Sequence, residues 1–478
     1  MNLINAMRLN NKINNTKGGL YNKSTLDANL DFFAGVSRYN NETYIQEKFA
    51  KAFIEDDMMA LANLLYVLDI RGGKGERRIF KKCFSLLAGA DKEKALKVLY
   101  LIPLLGRYDY ILEGLNTLID EEVVTLIKEQ LNKDLNTDNP SLLAKWLPTL
   151  RTHNKNNYLA KQLVKKLDLS EKEYRKVLSE LRSKINIVEK NITNQTFDNI
   201  DFNAVPCKAM LKYNRFFENN LSEKYNEYLD SLKKGEAKVN TNGLFCYEIV
   251  KKVYANNYRH DELLNQMWEN QKDVLKDINT NVLVVADTSG SMCCFNDLPL
   301  ANSVGLAMYT AQHNTGIFKD TFITFSTNPT IQHIVGEDIS TRLRGIKTIN
   351  ANTDIDKVFK LILSKFVNKN VKKEDMPSHI LIISDMEFDQ GVYSECGTNF
   401  DGWKKAFKEK GFELPKIIFW NVAAQTYGYP VTKQENDVVM VSGFSTNVLE
   451  NIFTLEKYNP VDCMVSTLDK YVKMLIEK

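Results

Sequence analysis

Two patterns of apolar residues divide this chain of 478 residues, and the change falls near position 280. Before it, apolar positions recur three and four residues apart in DDMMALANLLYVLDI (56–70), RRIFKKCFSLLAGA (77–90), KEKALKVLYLIPLL (92–105), EEVVTLIKEQLN (121–132) and NNYLAKQLVKKL (156–167). That spacing lines one face of a helix, and the Gly, Asp and Asn residues between the segments supply stops and turns. Short helices joined by brief connections predict antiparallel pairs stacked as in a HEAT-like α-solenoid, although no strict sequence period is present.

After position 280, short β-branched and aromatic runs alternate with amphipathic segments. NVLVVAD (281–287), DTFITFS (320–326), HILIISD (379–385), KIIFWNV (416–422) and DVVMVSG (437–443) read as strands, with helices over 300–313, 354–366 and 402–410. In the second of these helices Ile355, Val358, Phe359, Ile362, Leu363 and Phe366 form one apolar stripe, suited to lie against a sheet. Such strands, separated by helices, predict a mostly parallel sheet covered on both faces, in an α/β Rossmann-like domain. At about 100–200 residues per domain the length suits a multidomain protein. The expected division is an N-terminal extension over 1–40, a helical domain over 41–278 and an α/β domain over 279–478.

Composition narrows the class. Hydrophobic residues make up 44% and charged residues 26%, which is ordinary for a soluble globular protein. The first twenty residues lack the apolar centre of a secretory signal, and no run approaches the roughly 18 apolar residues needed to span a bilayer. A cytoplasmic protein with no membrane partner is the expectation. Seven cysteines, odd in number and never spaced C-x-x-C, argue against a disulfide framework and a structural zinc site. The five histidines are isolated from one another and from the cysteines, and a net charge of +3 says nothing globally.

The candidate chemistry lies at the strand ends. In an open α/β sheet, ligands bind outside the carboxyl ends of the strands. Three segments put oxygen donors there: VVADTSGSM supplies Asp287, Ser289 and Ser291, with Gly290 expected to permit a tight turn; ANTDI supplies Thr353; HILIISD ends in Asp385. Two carboxylates and three hydroxyls are hard donors suited to Mg²⁺ or Mn²⁺. Each residue alone reads as a helix cap or a turn residue. Capping, however, does not require three separate loops to converge.

The opening DTSGS, the loop threonine and the strand-end aspartate resemble the metal-ion-dependent adhesion site of von Willebrand factor A domains, over roughly residues 280–478. That resemblance implies a first metal loop of Asp287, Ser289 and Ser291, a second with Thr353 and a third with Asp385. A wider resemblance rests on RGGKGERRIF (71–80), KWLP (145–148), NTDIDKVF (352–359), SDMEFDQG (384–391), IIFWN (417–421) and VSGF (441–444). These segments look like those of an uncharacterised family of two-part proteins, helical in front with an A-type domain behind. In layout it is similar to the TROVE proteins, among them the RNA-binding Ro ribonucleoprotein.

Two basic stretches bear on that analogy. RGGKGERRIFKK carries Arg71, Lys74, Arg77, Arg78, Lys81 and Lys82 against a single acid, Glu76. Between Asn139 and Leu167 no acid occurs, while Lys145, Arg151, Lys155, Lys161, Lys165 and Lys166 accompany Trp146, His153 and Tyr158. Basic groups contact phosphates and aromatic rings stack on unpaired bases, so structured or single-stranded RNA is the expected partner, against the plainer reading of a solvated helix face. RGGKGER lacks the spacing and the hydroxyl of a P-loop. No nucleophile elbow or histidine–serine pairing supplies a catalytic group, and Asp287, Asp385, Glu387 and Asp389 as a hydrolytic cluster is the weaker reading. The expectation is a non-enzymatic, Ro-like ribonucleoprotein scaffold, with a metal-dependent protein adaptor that takes a partner's carboxylate as the alternative.

Overall fold

The computed structural model of the chain describes residues 11–14, 20–150, 157–185, 187–276, 278, 281–325, 329–347, 354–369, 372, 375–386, 388, 399–423 and 428–478. A small antiparallel ribbon, β1 (Lys12–Asn14) with β2 (Leu20–Asn22), comes first, and helices then dominate as far as Glu269. The helix Asp57–Leu68 starts where the Asp56 carboxylate accepts a hydrogen bond from the Met59 amide, and Arg77–Ala90 matches the expected span residue for residue. The single helix expected over 92–105 breaks into Lys92–Leu99 and Ile102–Leu105. Pro103 explains the break, since it has no amide to donate and its ring clashes with the preceding turn. Asp120–Leu135 and Asn157–Leu167 complete the anticipated set. Among the described residues no helix is long and apolar enough to cross a membrane.

The second half is built on a six-stranded sheet. Its strands are β3 (Val282–Asp287), β4 (Thr321–Phe325), β5 (Thr330–His333), β6 (His379–Ser384), β7 (Lys416–Asn421) and β8 (Val438–Ser442), in the spatial order β5-β4-β3-β6-β7-β8. Every pairing is parallel except β4 with β5. All six residues of β3 are buried. Because successive side chains of a strand point to opposite faces, this burial means that both faces of the sheet are covered there.

The described part of the first forty residues, expected as an N-terminal extension, packs into both halves of the chain. The helix Ala28–Gly35 is capped by Asp27 and buries every residue from Asn29 onward. It packs against Glu42–Glu55, Asp57–Leu68, β8 and the C-terminal helix Pro460–Ile476, and so joins the helical half to the sheet.

The loop RGGKGE lies at this junction and buries Lys74, one of the residues expected to contact RNA. Lys74 is 2% exposed. Its ammonium donates to the carbonyl oxygen of Phe33 and to Ser442 Oγ at 2.7 Å, and lies over the rings of Phe33 and Tyr66 at 5.2 and 5.7 Å. The glycines make the insertion possible. A Cβ on Gly73 would stand 2.2 Å from the Tyr66 carbonyl oxygen, and Gly75 adopts a left-handed φ of +64°. Beside Lys74, buried Glu76 accepts a bidentate pair of hydrogen bonds from Arg38, whose guanidinium also lies 4.0 Å from the Phe444 ring centre. Asp69 closes the loop by accepting from the Arg71 and Gly72 amides and from the Tyr471 hydroxyl.

Burial holds the Lys74 amine down to about 7, with Glu76 pulling weakly the other way. An unfolded lysine titrates near 10.5. Between these values the unfolded chain binds a proton that the folded chain does not, so stability rises with pH across that window; below about pH 7 both states are protonated and the cost of burial is fully present. Lys74→Met should flatten the rise between pH 7 and 10 by about 1.4 kcal/mol per pH unit, measured by denaturant titration. An unchanged slope would place the ammonium in water. Glu76→Gln, which strands a desolvated guanidinium, should cost about 3–5 kcal/mol, and a loss below about 1 kcal/mol would show that the pair is screened by solvent.

Candidate metal centre

The strand order reverses between β3 and β6. From β3 the chain moves outward through β4 to the edge strand β5, then crosses to β6 on the other side and continues to β8. The carboxyl ends of β3 and β6 therefore flank a topological switch point, where helices and loops diverge and leave a crevice. Asp287 is the last residue of β3 and Asp385 follows the last residue of β6; both are fully buried.

A hydrogen-bonded frame holds the two carboxylates. Asp287 Oδ2 accepts from Ser384 Oγ at 2.6 Å, Asp287 Oδ1 accepts from the Ser289 amide at 2.9 Å, and Ser384 Oγ stands 3.4 Å from Asp385 Oδ1. Ser289 Oγ and Ser291 Oγ lie 3.0 Å apart, the second on a tight turn over Gly290–Cys293. Gly290 is not in the left-handed region and a Cβ there would meet open space, so the turn does not use the freedom expected of it. Thr353 lies outside the described residues, as do Glu387 and Asp389.

Burial first, and then the charge of Asp385, push the Asp287 carboxyl up to about 7, while hydrogen bonds from Ser384 and Ser289 act in the opposite direction. Either a proton on Asp287 or a nearby cation relieves the cost of this burial and repulsion. The donor chemistry fits a divalent hard ion: Asp287 and Asp385 supply charge, and Ser289 and Ser291 supply neutral oxygens. Among the described residues no group of three or more His, Cys, Asp or Glu side chains gathers, and the further oxygen donors beside the two carboxylates are the Ser289 and Ser291 hydroxyls. Ser384 was missed by the sequence reading. Its hydroxyl stands between the two carboxylates, and its signal was a polar residue ending the apolar run HILIIS.

Immediately after this loop the backbone takes an uncommon course. Phe295, Asn296 and Asp297 are all left-handed, with φ of 51°, 60° and 56°. For residues other than glycine that conformation costs on the order of 1 kcal/mol or more each, and it persists only where surrounding contacts hold it. The contacts come from the other half of the chain: the Tyr39 ring stacks on Phe295 at 4.1 Å, and Lys251 Nζ donates to the Asn296 carbonyl oxygen at 2.9 Å. The regular part of the following helix then runs to His313.

The two basic stretches approach each other at Asp109, which accepts from Arg77 and Arg107 at 2.9 and 2.8 Å, with the Arg107 guanidinium 3.6 Å from the Trp146 ring centre. Apart from buried Lys74, the first basic stretch is largely paired within the chain. Arg77 bonds Asp109 at 2.9 Å, Lys81 bonds Glu113 at 2.5 Å, Lys82 bonds Glu42 at 2.8 Å, and Arg78 donates to the carbonyl oxygens of Arg38 and Asn40. Arg71 is exposed. In the second stretch Lys145 sits over its neighbour Trp146 at 5.5 Å, Lys161 is exposed, and Arg151 and Lys155 lie outside the described residues.

Comparison with known proteins follows the same division of the chain. Residues 281–469 match a family described as Domain of unknown function (DUF7788), and residues 164–284 match another described as Domain of unknown function (DUF2828). The two matches meet at the entry to β3, where the hydrophobic pattern changes. The chain is also similar to Uncharacterized protein L728 of Acanthamoeba polyphaga mimivirus, at 29% identity over 498 residues, covering 95% of this chain and 86% of that protein. The likeness thus runs through both the helical half and the sheet.

Proposed function

We propose that this protein is a non-enzymatic binding module in which Mg²⁺ or Mn²⁺, held by Asp287, Ser289, Ser291, Thr353 and Asp385, receives a carboxylate from a protein partner. The observation that carries this reading is the pair of buried carboxylates framed by Ser384 at the switch point, with the Ser289 and Ser291 hydroxyls beside them. In this reading the sheet is a von Willebrand factor A-type domain and the helical half is HEAT-like, in the manner of the TROVE proteins. An ion bound largely by neutral hydroxyls keeps its positive character and attracts an anionic ligand. That favours binding over hydrolysis, which needs a base or nucleophile beside the ion.

One observation favours RNA as a second partner. On the helix Asn157–Leu167, Tyr158, Lys161 and Lys165 are exposed at spacings of three and four residues, so one face offers an aromatic ring, 75% exposed, in line with two cations. An unpaired base could stack on the ring while the cations meet its phosphates. The paired cations of the first basic stretch give this reading no comparable support.

The cation reading predicts that saturating Mg²⁺ or Mn²⁺ raises the melting temperature, an ion at 100 times its Kd adding about 2.7 kcal/mol. Asp287→Ala should abolish the gain, and an equal response in wild type and variant would put the ion elsewhere. For RNA, Lys161→Gln with Lys165→Gln in the full chain should weaken binding to single strands and reduce the slope of log affinity against log salt by about 1.4, or 0.7 for each lost phosphate contact. Undetectable binding by the wild type at low salt would remove RNA from consideration.

A further inference from the structure

A cleft of about 470 Å³ lies in the helical half, between the helices Glu171–Lys184 and Val188–Thr193 and the chain at Thr149 and Leu150. That volume is within the range of about 300–1,000 Å³ typical of small-molecule sites. Arg175, Leu178 and Arg182 recur three and four residues apart, so one face of the first helix forms a wall of the cleft. The charge along the cleft has one sign. Arg175 and Arg182 line it from this helix and Lys190 from the second, and no carboxylate occurs among the described residues that line it. Arg182 is fixed in place by neutral acceptors, since it donates to the Ala144 and Leu147 carbonyl oxygens and to Thr149 Oγ1 at 2.8, 3.0 and 3.0 Å. Lys190 Nζ donates to the Ser183 carbonyl oxygen, which uses one of its three N–H groups. Arg175 pairs with Glu171 at 2.8 Å, where side chains 56% and 48% exposed leave the pair screened by water. Leu150 and Leu178, both buried, supply apolar lining.

We propose that this cleft is a binding site for a phosphate monoester, with the phosphate held among Arg175, Arg182 and Lys190. None of the described candidate cation ligands, and no residue of the helix Asn157–Leu167, lines the cleft, so the site stands apart from both. A phosphate monoester carries about −1.5 to −2 charges near neutral pH on three acceptor oxygens, which suits three cations better than the single charge of a carboxylate does. The two guanidinium groups favour it further, because their planar donor pairs match phosphate oxygens two at a time. The cleft is larger than a phosphate group. An organic group attached through the ester oxygen fills the remainder, against Leu150, Leu178 and the alkyl stems of the two arginines. A free nucleotide and the 5′ end of a nucleic acid strand both present this chemistry.

The test is isothermal titration of the full chain at low salt with adenosine 5′-monophosphate, inorganic phosphate and adenosine. The nucleotide should bind, phosphate should bind more weakly, and adenosine should give no signal. Arg175→Gln and Lys190→Gln should each weaken the nucleotide about tenfold, the loss expected for one charge-assisted hydrogen bond. Lys176→Gln removes an exposed charge of the same helix that does not line the cleft, and should leave the affinity unchanged. Displacement of the nucleotide by a short RNA with a 5′-phosphate, and not by its 5′-hydroxyl form, would assign the site to strand ends; displacement by neither would assign it to free esters. Displacement by both forms alike would overturn the requirement for a monoester. An equal loss in Lys176→Gln and Lys190→Gln would overturn the site in favour of diffuse surface charge, and a wild type that binds neither the nucleotide nor phosphate at millimolar concentration would overturn it outright.

Discussion

The buried amine of Lys74 is the constraint around which the two halves are arranged. A hydrogen-bonding group with no access to water must be given partners, and here these come from the helix Ala28–Gly35 and from the end of β8. Residues 368 positions apart in the chain therefore have to meet in one geometry. The consequences spread outward. Gly73 must be small for the loop to pass Tyr66, and Gly443, at φ +111°, brings its backbone against the lysine stem, where a Cβ would lie 3.4 Å from Lys74 Cγ. The adjacent Arg38–Glu76 pair extends the polar network and uses Phe444 as its floor. Such networks specify a geometry because a partly satisfied one is worse than none.

The candidate metal centre stands on the same edge of the sheet. Parallel pairing of β3 with β6 aligns Ala286 with Ile383, so the next positions along each strand emerge side by side. A carboxylate at the end of one strand then faces a hydroxyl and a carboxylate at the end of the other. The repulsion between Asp287 and Asp385 is an energetic cost built into the sheet, which a proton or a cation at that point would offset. The junction and the centre share a boundary, since Arg38 follows the helix end near Lys74 and its neighbour Tyr39 touches the turn beyond the cation loop.

Much of this architecture was legible in the chain. The helix Arg77–Ala90 announced itself through a strong apolar stripe, and the strand ends at Asp287 and Asp385 through carboxylates closing apolar runs. The edge strand β5 did not, because its four residues, TIQH, are mixed in polarity and only Gln332 is buried. Lys74 was misread for a different reason. A lysine between glycines looks solvated, and nothing local reveals that Phe33 and Ser442 will close over it. The same holds for Arg77, Lys81 and Lys82, whose acidic partners Asp109, Glu113 and Glu42 lie on other elements. Periodicity reports the face a residue occupies, whereas ion pairing depends on which faces meet.

The C-terminal helix Pro460–Ile476 lies against Asp57–Leu68, and Tyr471 reaches Asp69 across a separation of 402 residues. During synthesis the early helix leaves the ribosome long before its partner has been translated. Its side toward that partner, where the Tyr66 ring meets Tyr471 at 6.0 Å in the finished fold, must wait uncovered or be shielded by a chaperone. Closing so long a loop late in folding is slow, since chain entropy must be lost before the contact rewards it. Ribosome stalling or cleavage before residue 460 would therefore yield a product with an adhesive stripe in its helical half, however completely that half had been translated.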